Sequence, residues 1–520
     1  MNTKPPHSED RSANGSSYGQ ILRSTSIIGG AQGINFLIGM VRTKLVAILL
    51  GPSGVGLVGL YMSATGLVGK IAGLGISSSG VREISEAHTS GDPERMARTL
   101  KTLRRACWAT GIFGWVLTAA LSYPLSQWTF NSHEYAWPIA LLGITLLFGS
   151  ITGGEAALVQ GTRRIGDLAR LNVLGVLAGT IIAVGLYWWL GKKGIVPVLI
   201  VTSAINLGIA WWFARKIQVT PIFLSFSETW KNSKRLVGLG MAFMWSSLLA
   251  AAVALAIRVM IVDNLGLEAN GIYQAAWGIS GMFAGFILGA MGTEFYPRLA
   301  AASNDHVAMS RIVNEQIEIG MLLALPGLVV TLFFAPWLMT IFYTTKFLPG
   351  AELLPWFVIG VFLQVLVWPM GYITIALGAG KWFAGSETAT LLLQILLSIL
   401  LLKHFGLCGV ALAFSLYYLF YMILALAVSF HLIKFRWSNQ VVKILLGATF
   451  LVGASFAAHL NIPEWGRPAS GVLFSISSII YSLRGLVSRL GQQHRLVLMA
   501  CRMPYGRLLC GICDKPSQGW

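Results

Sequence analysis

Charge is the first thing this chain is short of. Of its 520 residues only 11% are Asp, Glu, Lys or Arg, while 55% are hydrophobic and the mean hydropathy is +0.69. A soluble globular domain carries about 25% charged residues, so water is not the main solvent here. Acid is scarcer than base, 20 Asp+Glu against 38 Lys+Arg, giving a net charge of +18. Cysteine is scarce too: Cys107, Cys408, Cys501, Cys510 and Cys513 make an odd number without framework spacing, which excludes a disulfide staple. Cys510 and Cys513, even with Cys501 and His494 near, are a single pair in a tail, and no metal site is expected. No Gly-Lys-Ser/Thr phosphate loop appears, which argues against an ATP-driven pump, and no cofactor is expected. Substantial polar loops are missing, and with them the room for a membrane-embedded polymerase or transferase site, so the expectation is a protein that is not an enzyme.

What is present is apolar helix. Crossing a hydrocarbon core of about 30 Å takes roughly 20 apolar residues, and such windows recur from about residue 25 to residue 480. The runs are continuous rather than alternating, which favours helices over a β-barrel. Fourteen spans are expected, near 21–50, 54–80, 104–126, 136–160, 168–190, 195–215, 236–262, 271–296, 313–343, 351–378, 383–403, 407–431, 441–460 and 468–483. Residues 1–20, with Pro5, Pro6 and several Ser and Gly, read as a disordered tail and not as a cleaved signal peptide.

Basic residues cluster in alternate connections. Arg95, Arg98, Lys101, Arg104 and Arg105 follow the second span, Arg163, Arg164 and Arg170 the fourth, and Arg215, Lys216, Lys231, Lys234 and Arg235 the sixth; the opposite connections near 127–135 and 263–270 hold none. The positive-inside rule then puts the N-terminus in the cytoplasm. The same pattern accounts for the net charge as a basic face beside anionic lipid headgroups, so membrane lipids and not nucleic acid are the expected partners.

The sequence also repeats. A shift of 215 residues lays Leu50-Gly51 on Leu265-Gly266, Gly56-Leu57 on Gly271-Ile272, Gly66 on Gly281, and Gly194-Ile195 on Gly409-Val410. The expected organisation is a tail (1–20), a six-helix lobe (21–216), a basic linker (217–234), a second six-helix lobe (235–432), two additional helices (433–483) and a basic tail (484–520). That is an all-α integral membrane protein of 12–14 transmembrane helices in two pseudo-symmetric lobes around a central cavity, as in transporters whose halves share an orientation.

An ionisable residue inside the bilayer is costly and should face protein or a water-filled space. Lys70 stands out, in the middle of the second span. Arg42 and Lys44 lie in the first span, about 200° apart on a helix, and Arg258 occupies the matching region of the seventh. Snorkelling, or a pair with Asp263, is the alternative for Arg42 and Arg258. Asp263, Glu155 and Glu294 are candidates for carrying a coupling proton or cation, or for satisfying a neighbouring Arg. Together Lys70, Arg258, Lys44 and Arg42 describe a cationic path suited to an anionic cargo.

Two stretches carry a family likeness. Arg42 to Leu57, reading RTKLVAILLGPSGVGL, resembles the first-helix signature of Wzx-type O-antigen and enterobacterial-common-antigen translocases, within the multidrug/oligosaccharidyl-lipid/polysaccharide exporter superfamily. So does Gly271 to Ser280, reading GIYQAAWGIS and running on to Phe295–Leu299, while Lys346-Phe347 looks like the family's Asn-Lys-Phe element with Thr345 in place of Asn. The similarity covers about 21–432 in order. It implies two six-helix lobes and alternating access that moves an undecaprenyl-pyrophosphate-linked oligosaccharide across the bacterial inner membrane. It also places Lys44 and Arg258 at basic positions of the family, and implies a polysaccharide polymerase and a chain-length regulator as partners. A drug exporter of the same superfamily is the rival within transport, and would want an acidic, aromatic cavity.

Overall fold

The computed structural model describes residues 10–220, 222–463 and 466–490, and among these there is helix and no strand. Two compact units divide the chain, Met1–Leu255 and Ala256–Trp520.

In the first unit, helix α1 (Asp10–Gly73) is followed by α2 (Ile76–Thr89), α3 (Pro93–Phe130), α4 (Ala136–Gly161), α5 (Ile165–Leu190) and α6 (Ile195–Ala214). Helix α7 (Phe226–Ala301) contains the dividing point. In the second unit come α8 (His306–Phe333), α9 (Ala335–Phe342), α10 (Leu354–Ala376), α11 (Gly380–Ile433), α12 (Asn439–Asn461) and α13 (Arg467–Leu490).

Among the described residues ten helical segments are long and apolar enough to cross a membrane. Four of them contain a non-helical glycine: Gly51 (φ 65°, ψ −175°), Gly266 (φ 86°, ψ 173°), Gly406 (φ 57°, ψ −139°) and Gly191 (φ 56°, ψ −134°). Each break divides one segment in two, so the ten segments make the fourteen spans that the hydropathy predicts. Only a residue without a Cβ takes the conformation of Gly51 and Gly266 cheaply. At Gly51 the chain has a second reason to break, because Pro52 disfavours helix in the residue before it and then opens the next helix.

The 215-residue offset reappears in backbone conformation. Gly51 answers to Gly266 and Gly191 to Gly406. Arg163 (φ 57°) answers to Gly378 (φ 66°). The hydrogen bonds around that last pair match one for one: Arg163, Arg164 and Ile165 donate to the carbonyls of Gln160, Val159 and Arg163, as Gly378, Ala379 and Gly380 do to Ile375, Thr374 and Gly378.

Several boundaries differ from the sequence reading: the linker expected over 217–234 is helical from Phe226, and the helix of the third span, expected from 104, begins at Pro93. The tail expected to be disordered over 1–20 is helical from Asp10, and residues 1–9 lie outside the described ones. Once the apolar segment has nucleated a helix, adding polar residues at its end costs little. The ninth span, expected through 343, stops at Phe333, because Pro336 cannot extend that helix and instead starts α9. The last span, expected over 468–483, runs from Arg467 to Leu490 as an amphipathic helix, so Arg484–Leu490 belong to it and not to a tail.

Packing within each unit is small against large. In the first, α3 lies along α4 and α1 along α5. A Cβ at Gly111 would come within 2.9 Å of Leu147, and one at Gly143 within 2.7 Å of Trp115, so these glycines set how close the helices come. In the second unit α10 packs on α11 and α8, and α12 and α13 both pack on α8. Exposed tryptophans mark both ends of α6, Trp188 and Trp189 before it and Trp211 and Trp212 within it, as expected where a helix meets two interfaces. Lys216 Nζ sits 3.9 Å above the Trp212 ring.

Candidate functional site

The second span is discontinuous. Helix α1 ends at Gly73, Leu74 (φ 47°) and Gly75 (φ 68°) take left-handed conformations, and α2 begins at Ile76. The break is packed against the middle of the neighbouring helices. A Cβ at Gly69 would lie 3.1 Å from Leu146, near the middle of α4, and Ala72 is equally close to Gly114, near the middle of α3. Beyond the break, Ser77 lies against Gly153 and Ile84 against Gly161, so α2 continues along α4 towards its far end. The two pieces together run along α4, with the break between them.

Lys70 stands in the last turn before that break. There its ammonium is favourably placed against the negative end of the helix dipole and the carbonyls left open by the break. The residue is exposed, and it has no hydrogen-bond or ion-pair partner among the described residues. The interruption beside it is added by the structure.

The other sequence candidates fall into separate settings. Arg42 and Lys44 are half-buried on the first half of α1, and Arg42 lies within electrostatic reach of the Tyr187 phenol on α5. Beside them Lys192 donates to Ser53 Oγ at 2.7 Å, tying the Gly191 turn to the Gly51 turn. In the second unit Arg258 is 7% exposed. Its Nε and Nη2 donate to Gln274 Oε1 at 3.2 and 2.8 Å, and its guanidinium lies 5.9 Å from the Tyr273 ring centroid. Gln274 and Tyr273 come from the Gly271–Ser280 stretch, so that motif helps to cradle the arginine.

Of the acidic candidates, Glu155 is buried and accepts a two-pronged pair from Arg104, Nε to Oε1 and Nη2 to Oε2, each 2.7 Å. Asp263 is exposed on α7, three residues before the Gly266 break. Glu294 lies on α7 with its side chain outside the described residues. Glu387 on α11 was not singled out from the sequence. It accepts a hydrogen bond from Tyr421, in a cluster with Tyr417 and Tyr418. It is an acid within an apolar run, the signal that drew attention to Glu155. Among the described residues no group of three His, Cys, Asp or Glu gathers to hold a metal ion, and Cys501, Cys510 and Cys513 lie outside them.

These features define a class: an all-helical, multi-pass membrane protein with glycine-broken helices and charged side chains inside its spans. Residues 21–303, more than half the chain, match the polysaccharide biosynthesis protein family, and the chain belongs to it. The match covers both stretches that carry the translocase likeness. The lipid III flippase of Escherichia coli (strain K12) is 22% identical over 411 residues, spanning 75% of this chain and 93% of that protein. Among solved structures, the lipid II flippase MurJ in an inward closed conformation superposes with a TM-score of 0.66 at 15% identity, covering 89% of this chain and 99% of that one. An inward-facing multidrug resistance MATE family transporter of the MOP superfamily gives 0.59 at 15% identity, covering 80% and 96%. At such identities the two structures speak for the fold.

Proposed function

We propose that this protein is a flippase for a lipid-linked oligosaccharide. Its cargo is an undecaprenyl-pyrophosphate-linked repeat unit of the O-antigen kind, carried from the cytoplasmic to the periplasmic leaflet of a bacterial inner membrane by alternating access, with the N-terminus in the cytoplasm.

The observation that carries this reading is Lys70, an exposed lysine without a carboxylate partner among the described residues, beside a helix break packed on α3 and α4. An ammonium facing hydrocarbon costs several kcal/mol, of order 3 by insertion scales, so we read it as facing water or cargo. Discontinuous helices are what secondary transporters build their substrate sites from. A cation in that position suits a pyrophosphate and repels the cationic drugs that the rival exporter reading requires. Arg42 and Lys44 are further cations of the first unit and Arg258 is one of the second, each a candidate contact for an anionic cargo, and family membership supports a saccharide cargo. A polymerase and a chain-length regulator would then act on the delivered repeat units.

The test is leaflet accessibility of the lipid-linked oligosaccharide, together with surface polysaccharide, in cells lacking the protein and in cells carrying Lys70→Ala or Arg258→Ala. Accumulation on the cytoplasmic leaflet, unrelieved by well-expressed variants, is the expected result. Normal delivery to the periplasmic leaflet with failed polymerisation would overturn flipping in favour of a polymerase.

A further inference from the structure

Away from Arg258, the second unit carries a cavity of about 750 Å³ between α8, α12 and α13. Its two ends differ in chemistry. Helices α12 and α13 cross where Tyr481 donates to the Ile444 carbonyl at 3.4 Å and where a Cβ on Gly447 would meet Tyr481 Oη at 2.3 Å. That contact fixes the antiparallel register. One turn before Gly447 stands Lys443, and one to two turns beyond Tyr481 stand Arg484 and Arg489, so three cations gather at one end of the cavity. On the other side of the crossing the walls are Phe450, Leu451 and Ile480.

Among the described residues no carboxylate lines the cavity. Behind the wall, buried Glu318 of α8 accepts from Arg489, while Lys443 and Arg484 are exposed. The apolar end continues onto outward faces that are themselves apolar, with Leu446, Phe450 and Leu473 all largely exposed. A small aqueous anion would need only the charged end. A groove that joins cations to a hydrocarbon-facing wall matches an amphiphile.

We propose that this groove binds an anionic phospholipid of the surrounding bilayer, its phosphate against Lys443 and Arg484 and an acyl chain along Phe450, Leu451 and Ile480. Residues 491–520 follow α13 and carry Arg495, Arg502 and Arg507, of the same sign as the groove, so charge complementarity favours lipid over this segment. The assignment does not depend on the flipping reading.

The purified full-length chain is mixed with equal amounts of dioleoyl phosphatidylglycerol and dioleoyl phosphatidylethanolamine and examined by native mass spectrometry. The anionic lipid is retained about tenfold over the zwitterionic one, two interfacial cations each supplying part of the difference. Lys443→Gln with Arg484→Gln brings the two lipids to parity, and Lys443→Arg with Arg484→Lys keeps the preference. Parity in the unaltered chain, a preference that survives the double Gln change, or displacement of phosphatidylglycerol by equimolar undecaprenyl phosphate overturns the proposal. Should the double variant fail to purify as a single species, a photoreactive residue in place of Leu451 decides. It crosslinks phosphatidylglycerol in mixed vesicles, and equal capture of both lipids counts against the site.

Discussion

Arg104 and Glu155 face each other across α3 and α4 as a planar fork, two N–H···O bonds of 2.7 Å between a half-exposed guanidinium and a buried carboxylate. Removing one partner of such a pair leaves a buried charge uncompensated. Arg104→Ala is expected to cost about 2 kcal/mol, reduced from the fully buried case because Arg104 reaches solvent, and Arg104→Lys about 1 kcal/mol through loss of the second bond. Thermal unfolding of the detergent-purified chain, followed by size-exclusion chromatography, measures both. If Glu155 also carries the coupling ion, Glu155→Gln abolishes export beyond what its loss of thermal stability explains.

Lys70 should be in contact with water. With the native cysteines replaced, Lys70→Cys is expected to react with a water-soluble maleimide in permeabilised cells, while Val68→Cys, which is 1% exposed, stays unlabelled. Equal protection at the two positions would place Lys70 against lipid and remove its role in a cargo path.

For Arg258 the informative change is in its partner. Gln274→Glu turns a neutral acceptor into an anion at 2.8 Å from Nη2, forming an internal ion pair that should hold or raise thermal stability while lowering export at least about tenfold. Gln274→Ala should lower stability by about 1 kcal/mol and spare more of the export. Loss of stability with Gln274→Glu would mean that the charge of Arg258 is already neutralised.

The repeat makes a paired prediction. Gly51→Ala and Gly266→Ala each force a Cβ into a glycine-only backbone conformation, and each is expected to cost about 1–3 kcal/mol. Arg163→Gly should be neutral or stabilising, by up to about 1 kcal/mol, because its left-handed turn is the one that Gly378 makes in the second unit. Melting temperatures of the three variants, measured side by side, check the set.

Much of the fold is legible in the sequence because lipid imposes a length and a composition on each crossing. Gly51-Pro52 announces its break, and the offset to Gly266 carries the inference to a site without proline. The break at Leu74-Gly75 is invisible to hydropathy, since Leu74 is apolar and the run reads straight through it. Packing of Ala72 on Gly114 and Ser77 on Gly153 holds the two halves, and no local pattern records those contacts. Pairings such as Arg104 with Glu155 and Arg489 with Glu318 join residues far apart in the chain, so composition supplies the charges but not their partners. The Arg258 cradle was half legible: the stretch from Gly271 was marked by likeness, but the duty of Gln274 within it was not.

The turn at Gly51 and the four-residue 3₁₀ turn Gly191–Gly194, joined by the Lys192–Ser53 hydrogen bond, have a practical consequence. Where two crossings are joined by so few residues, little loop is left for a protease or an antibody to grasp. Alternate crossing puts the 131–135 connection on the same side of the membrane, and in the first unit it is the longest stretch there outside a helix. An epitope tag or topology reporter meant for that side belongs between Asn131 and Tyr135; inserted at Gly51 or Gly191 it would split two crossings at once.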